Sequence, residues 1–215
     1  MIRLLLHGGQ GPLDVLCLGA HSDDIEIGCA GLLFELLQRG PMVLTWAVLG
    51  ARGERAVEAR RSARAFLRAA KSAQIVVHGF EDGFFPSQFK DIKACFEDLK
   101  HKVSPDLILT HRLEDRHQDH RIVADLTWNT WRDHLILEYE IPKYEGDLGQ
   151  PNVFVPLPAR TRQRKITHLM RHFASQRSKS WFRPEVFDAM MSLRGVECRA
   201  PSGFAEAFHA RKLLL

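Results

Sequence analysis

The chain has 215 residues, of which 45% are hydrophobic and 26% charged, with a formal net charge of +4. This length predicts a single domain, residues 1–215, that is large enough to bury a full core. No apolar run reaches the ~20 residues of a membrane helix. Polar residues and glycines interrupt the apolar patch near the N-terminus, so it lacks the hydrophobic region of a signal peptide. We therefore expect a cytoplasmic protein without a membrane span.

The mild positive charge and the cysteines exclude further classes of protein. Basic residues are concentrated over 52–68 and 160–183, where the pattern indicates helices with solvated faces and shows no exposed aromatics between the basic residues. We expect no nucleic-acid partner, while an anionic substrate stays open. The four cysteines are far apart and form no CxxC pair, which argues against a zinc ribbon or a disulfide framework.

Short apolar runs alternate with longer stretches of helical periodicity through the first two thirds of the chain. Strands are predicted over 13–18, 42–49, 74–78, 106–110 and 135–139. Helices are predicted over 25–39, 54–71, 89–102 and 119–131. Because the strands are separated by helices, we expect right-handed βαβ units, and hence an α/β fold with a mostly parallel sheet. The less regular last third predicts a short apolar run over 153–157, helices over 159–173 and 184–194, and an added strand over 205–213.

A first polar segment, AHSDDIE at residues 20–26, directly follows the first predicted strand. Ligands of open α/β sheets gather at the carboxyl ends of the strands. His21 and Asp24 can present an imidazole nitrogen and a carboxylate oxygen to one ion, and zinc accepts both ligand types. Asp23 cannot point the same way as Asp24 in a regular turn, so it is free to face a substrate. The alternative is that Asp23 or Asp24 only caps the next helix, and this segment alone does not decide between the two.

A second polar segment, residues 111–121, follows the fourth predicted strand and holds three of the chain's 11 histidines together with three acidic residues. A solvated charged loop is the alternative, but the segment lies at a strand end on the same expected side of the sheet. His117 and His120 share a side of a helical turn, so one can bind a metal while the other meets substrate. Asp119 can orient an imidazole. His111 either lines the pocket or makes a structural hydrogen bond.

Together, AHSDDIEIG and DRHQDHR resemble the paired signature of the PIG-L/LmbE-like family, whose members carry an AHPDD-type segment and a later HxDH-type segment. The loops at 52–54 and 81–83 and the terminal Ala-Glu-Ala-Phe at 205–208 also have counterparts that look similar in the family. The resemblance covers most of the chain. It departs from the commonest motif at Ser22, where proline is usual, but a serine neither supplies nor removes a ligand.

The resemblance implies a Rossmann-like, three-layer α/β sandwich and zinc-dependent hydrolysis of N-acetyl groups on amino sugars. By motif position, His21, Asp24 and His120 would be the metal ligands, Asp23 the general base, and His117 the residue that faces the carbonyl oxygen. Three protein ligands leave one position for water, which is the pattern of a catalytic zinc site. The same ligand set also suits Fe²⁺ or Mn²⁺.

Under this hypothesis Asp23 accepts a proton from the attacking water. His117, protonated with help from Asp119, stabilises the developing oxyanion. The leaving amine receives its proton from Asp23 or His117, and the sequence does not choose between them. Arg52 and Asp82 lie in loops after strands and are candidate substrate contacts, although Asp82 can equally belong to a turn.

Other functions are compatible with the same residues. A metal-dependent amidase that acts on a thiol conjugate or another non-sugar amide would use the same centre. A metal-binding protein without catalysis would need neither Asp23 nor His117, and a nucleotide-binding protein is disfavoured because no GxGxxG follows the first strand. We expect a small N-acetylated molecule, a sugar derivative, as the partner, and a homo-oligomer stays open. Residues 138–149 form either a lid or pocket wall, or a surface connection.

Overall fold

The computed structural model describes residues 4–6 and 11–214, so residues 7–10, which interrupt the N-terminal apolar patch, lie outside the described part. The strands are β1 (Leu13–His21), β2 (Met42–Gly50), β3 (Ser72–Val77), β4 (Leu107–His111), β5 (Leu135–Tyr139), β6 (Val153–Pro156) and β7 (Ala205–Ala210). They form one seven-stranded sheet in the order β3-β2-β1-β4-β5-β7-β6. Strands β1 to β5 are parallel, and β7 is antiparallel to both β5 and β6. The predicted mostly parallel α/β sheet is confirmed.

The helices are α1 (Asp24–Arg39), α2 (Gly53–Leu67), α3 (Phe89–Lys102), α4 (Gln118–Thr130), α5 (Ala159–His172) and α6 (Pro184–Glu197). Most predicted boundaries lie within two residues of these, and the larger differences at β1, α2 and β7 have identifiable causes. Strand β1 extends to His21 because it pairs with β2 as far as Gly50. Helix α2 ends at Leu67, where a turn bonded from the Ala70 amide begins. Strand β7 ends at Ala210, since its pairing with β5 stops there.

The two faces of the sheet are both covered by helices. Alternate residues of β1 point to opposite faces, as in any strand. Val15 and Cys17 belong to the core formed with α1, α2 and α5, whereas Leu16 and Leu18 belong to the core formed with α3 and α4. The predicted three-layer arrangement is therefore present, and burial on both faces explains the continuously apolar strands. Within the described ranges, no helix is both long enough and apolar enough to cross a membrane.

The order of the strands places the two polar segments side by side. Strand β1 lies between β2, which follows it in the chain, and β4. This is a topological switch point, where a crevice opens beyond the carboxyl ends of the two strands. Strand β1 ends at His21 and leads into α1, and β4 ends at His111 and leads, through a short loop, into α4. The AHSDDIE and DRHQDHR segments consequently meet at this edge.

Candidate metal centre

Three side-chain atoms converge at the ends of β1 and β4. His21 Nδ1 lies 3.1 Å from His120 Nε2 and 3.3 Å from Asp24 Oδ2, and the last two atoms are 3.6 Å apart. A tetrahedral ion with bonds of about 2.0–2.1 Å holds its ligand atoms about 3.3–3.4 Å from one another. His120 and Asp24 are almost fully buried, and 12% of the His21 side chain is exposed. The triangle therefore has the dimensions of three ligands around one zinc-sized ion.

Acidic side chains behind both histidines fix which ring nitrogen faces the triangle. His21 Nε2 lies 3.1 Å from Asp119 Oδ2 and 3.1 Å from Asp82 Oδ1. His120 Nδ1 lies 3.0 Å from Asp115 Oδ2. A carboxylate can only accept, so each of these nitrogens carries a proton. Whenever the rings are neutral, the lone pairs of His21 Nδ1 and His120 Nε2 therefore face the triangle. Histidines that bind a metal are oriented in this way by outer-shell carboxylates.

The electrostatics of the triangle require a cation. Two imidazole lone pairs and a carboxylate oxygen that face one another repel unless a proton or a metal ion lies between them. Burial favours the neutral ring of His21, yet the charge of Asp24 and hydrogen bonds to Asp119, Asp24 and Asp82 carry its pKa well above 6.5. Burial would raise the pKa of Asp24, but the charges of His120, His111 and His21 hold it well below its ordinary value. The donor set therefore fits a divalent cation.

Asp23 has the environment of a proton acceptor. It precedes the first residue of α1, but its side chain makes no capping hydrogen bond. Asp23 therefore does not serve as a side-chain cap of this helix. Its Oδ2 is buried and, within the described part of the chain, has no hydrogen-bond partner. Burial, followed by the charge of Asp24, raises the pKa of Asp23 to about 7. A buried carboxyl with a free oxygen beside the ligand triangle is placed to exchange a proton with a bound molecule.

His117 lies beside the triangle, and its relation to Asp119 differs from the expectation. Nitrogens of His117, His21 and His120 lie within 4.8 Å of one another. The Asp119 carboxylate, however, contacts His21 and accepts hydrogen bonds from the amides of Gly83 (2.6 Å) and Phe85 (3.1 Å). His117 Nδ1 instead accepts a bond from the Asp119 backbone amide, at 3.3 Å. Asp119 thus orients an imidazole as expected, but that imidazole is His21.

The protonation state expected for His117 also needs correction. Burial lowers the pKa of His117, and the positive charge of His21 lowers it further. The charges of Asp119, Asp24 and Glu145 counteract this only in part. The structure therefore favours a neutral His117 in the free protein.

The two candidate substrate residues differ in position. Asp82 belongs to the site, because one carboxylate oxygen lies 3.1 Å from His21 Nε2 and the other accepts a bond from Arg55, at 2.5 Å. Its charged contacts hold the pKa of Asp82 below its ordinary value, led by the hydrogen bond from His21. Arg52 is exposed, and its Nε donates to the carbonyl of Gly79. The contacts described for Arg52 do not include any of the three ligands.

Three residues of the site were missed or left open by sequence reasoning. Asp115 holds His120, and Lys143 Nζ in turn lies 3.0 Å from Asp115 Oδ2 and 2.7 Å from Asp147 Oδ1. Lys143 is buried although it belongs to the segment 138–149, which places that segment against the site. His111 Nε2 accepts a hydrogen bond from the Ala20 amide at 3.0 Å and also lies 3.1 Å from Asp24 Oδ2, so His111 makes a structural hydrogen bond and borders the triangle as well. The only sequence signal for Asp115 was its presence in the acidic second segment.

The Asp115–His120 contact gives a first prediction. Asp115→Asn offers His120 a weaker acceptor without a change of size, so the affinity for zinc is expected to fall by about 10–100-fold. Competition with a chromogenic chelator measures this affinity. Glu114→Gln removes an exposed charge from the same segment and should leave the affinity unchanged. Equal affinities in both variants would show that Asp115 does not support a ligand.

Comparison with known proteins identifies the family. Residues 16–131, slightly more than half of the chain, match the family described as PIG-L: GlcNAc-PI de-N-acetylase. The chain belongs to this family. A curated relative, named uncharacterized deacetylase YaiS, from Escherichia coli (strain K12), is 30% identical over 148 residues, which cover 64% of this chain and 79% of the relative. The PIG-L family match includes the end of β1, all of β4 and the start of α4, and therefore the three residues of the triangle.

Solved structures agree in fold. The conserved protein TT1542 from Thermus thermophilus is 20% identical, with a TM-score of 0.69 over 94% of this chain and 96% of its own. The N,N'-diacetylchitobiose deacetylase from Pyrococcus horikoshii is 18% identical, with a TM-score of 0.66 over 92% of this chain and 83% of its own. The A40926 pseudoaglycone deacetylase Dbv21 is 16% identical, with a TM-score of 0.67 over 94% of this chain and 98% of its own. The PIG-L family member described here shares its fold with these proteins over nearly its whole length.

Proposed function

We propose that this PIG-L family protein is a zinc-dependent N-deacetylase that acts on a small molecule containing an N-acetylated amino sugar. The observation that carries the metal centre is the triangle of His21 Nδ1, Asp24 Oδ2 and His120 Nε2, with sides of 3.1–3.6 Å. Its two histidines have their outer nitrogens bonded to carboxylates, as metal ligands do. Asp23 Oδ2, which has no hydrogen-bond partner among the described residues, supports hydrolysis over metal storage.

Each residue of the site has a distinct part in this proposal. His21, Asp24 and His120 would hold the ion, which when bound would lower the pKa of water towards ~7 and polarise a carbonyl. Asp23 takes the proton of the attacking water on Oδ2, which is buried and has no partner among the described residues. In the metal-free protein its pKa is about 7, because burial disfavours the charged carboxylate. His117, as a neutral imidazole, donates a hydrogen bond from Nε2 to the amide oxygen, because Nδ1 accepts from the backbone.

Asp23 is also the preferred donor to the leaving amine. His117 is neutral in the free protein by the direction of its pKa, so it lacks a second proton to give. Asp23, once protonated, is a buried carboxylic acid next to the reacting amide. We therefore assign this proton transfer, for which the sequence left Asp23 and His117 open, to Asp23.

The substrate class rests on relatives with the same fold. Two of them are named as deacetylases of N,N'-diacetylchitobiose and of A40926 pseudoaglycone, and a third as the teicoplanin deacetylase Orf2 in a zinc-inhibited form. We extend to this chain the shared chemistry, removal of an acetyl group. Cleavage of a thiol conjugate or another non-sugar amide by the same centre is the second candidate.

A substrate panel tests the proposal. Purified protein is reconstituted with zinc, and free amine release is measured on N-acetylglucosamine, diacetylchitobiose, a UDP-linked N-acetyl sugar and N-acetylated amino acid and thiol conjugates. We expect release from at least one sugar derivative and none after treatment with a chelator, with recovery on addition of zinc. Release confined to the non-sugar amides would support the second candidate. No zinc bound to a folded protein would contradict the proposed centre.

A further inference from the structure

Helix α1, which carries Asp24 in its first turn, is broken inside. The backbone of Cys29 leaves the helical region, with φ −143° and ψ 15°, so two helical segments meet at a kink. In a regular helix the amides of Gly31 and Leu32 would donate to the carbonyls of Ile27 and Gly28. At the kink these amides and carbonyls need other partners, because unpaired buried backbone groups are costly.

A buried ion pair from the last third of the chain supplies partners for the two amides and for the carbonyl of Ile27. Glu206, on β7, accepts from the Gly31 amide through Oε1 and from the Leu32 amide through Oε2, both at 2.7 Å. Lys165, on α5, donates from Nζ to the carbonyl of Ile27 at 2.6 Å and to Glu206 Oε1 at 2.6 Å. The carboxylate thus caps the start of the second helical segment, and the ammonium takes a carbonyl at the end of the first.

The ion pair is buried, and it depends on a glycine at position 31. Lys165 and Glu206 are each 4% exposed. A Cβ on residue 31 would lie 2.8 Å from the Glu206 carboxyl and 2.6 Å from Leu157, so the carboxylate reaches the helix only because residue 31 is glycine. Buried ion pairs contribute little net stability compared with apolar side chains of the same volume. Apolar side chains could not bond the backbone groups on the two sides of the kink. The ion pair can, and it thereby stabilises the kinked geometry of α1.

The geometry enforced is that of the segment that carries Asp23 and Asp24. The Ile27 amide bonds to the Asp23 carbonyl at 3.0 Å, so the first turn moves as one unit with these acids. Both segments pack in the same core, the first through Ile25 and Ile27 and the second through Leu33 and Phe34, so the kink sets the angle between two anchored pieces. If the hydrogen-bond ladder closed across the kink, the first turn would be redirected relative to the second segment and Asp24 would shift from the triangle.

We propose that Lys165 and Glu206 are positioning residues that hold the kink in α1 and thereby place Asp24 against His21 and His120. This inference rests on the proposed metal centre. It predicts that changes to a buried pair remote in sequence from the ligands weaken metal binding in a protein that is still folded. The effect is transmitted by the backbone of α1, because neither residue of the pair contacts the triangle in the described structure.

The test measures the affinity for zinc of the apo-protein by chelator competition, together with folding by circular dichroism. The double variant Lys165→Met/Glu206→Gln leaves no buried charge unpaired, and Lys165→Arg keeps the charge but not the compact ammonium. We expect the double variant to bind zinc at least about tenfold more weakly than the wild type, and the arginine variant to be intermediate. Should the double variant fail to fold, Lys165→Arg and Glu206→Asp provide the same measurement.

A matched control separates positioning from general destabilisation. Glu58 is another buried carboxylate that bonds a backbone amide and a hydroxyl, both of Ser175, but it lies on α2. Glu58→Gln is expected to lower the melting temperature and keep the wild-type affinity for zinc. Wild-type affinity in the folded Lys165 and Glu206 variants would overturn the positioning role. A wild-type protein that binds no zinc would instead overturn the metal centre and this inference with it.

Discussion

Replacement of Asp23 with alanine or asparagine is expected to lower kcat by about 10²–10⁴-fold while zinc stays bound, since that is the usual contribution of a general base. Asp23 does not belong to the triangle, and its Oδ2 has no partner among the described residues. Loss of the carboxylate therefore removes a proton acceptor without removing a ligand. Steady-state kinetics on the best substrate, with zinc content from elemental analysis of the same samples, measure both quantities.

The asparagine variant is the sharper of the two, because it keeps the size of the side chain and removes only the ability to take up a proton. Ser22→Ala is a suitable control, since it changes a buried neighbour whose hydroxyl has no partner in the described structure. We expect that control to retain activity within a few-fold. A fully active Asp23→Asn enzyme would remove Asp23 from the chemistry, and a loss of zinc in that variant would assign it to metal binding.

The triangle could be anticipated from sequence because it depends on a simple rule of parallel sheets. Polar residues that directly follow two buried strands meet if the strands are neighbours, and the ends of β1 and β4 are neighbours here. The rule places His21, Asp24 and His120 at one edge. It does not tell which acid lies behind which histidine, because that depends on side-chain orientation. Asp119 was consequently paired with His117 in the prediction and is found against His21.

The residues that hold the ligands of the triangle in place could not be identified from the local sequence pattern. The kink in α1 has no proline to mark it, and the residues that stabilise it are 138 and 175 positions away from their backbone partners. Lys143 is charged and lies in an irregular segment, and both features usually indicate exposure. Its side chain is nevertheless only 7% exposed, and ion pairs with Asp115 and Asp147 compensate its charge. Long-range partners of this kind become visible only when the packing is known.

Replacement of His120 with alanine is expected to abolish zinc binding. Catalytic zinc sites usually have three protein ligands and one water. In this variant only two ligands would remain, His21 at the end of β1 and Asp24 in the first turn of α1. The variant also leaves the buried carboxylate of Asp115 without its imidazole partner, although Lys143 still neutralises it. We therefore expect a folded protein whose zinc content falls to background and whose deacetylase activity falls with it.

Thermal unfolding adds a measurement that is independent of the substrate. A ligand that binds only the folded state at 100 times its Kd stabilises it by about 2.7 kcal/mol, so zinc should raise the melting temperature of the wild type by several degrees and leave that of His120→Ala unchanged. His101→Ala, an exposed histidine on α3, controls for the loss of a histidine as such and should respond to zinc like the wild type. If His120→Ala keeps one zinc per chain and the same thermal response, His120 is not a ligand. The ion would then have to be sought between His21, Asp82, His117 and Asp119, which form the neighbouring group of potential ligands.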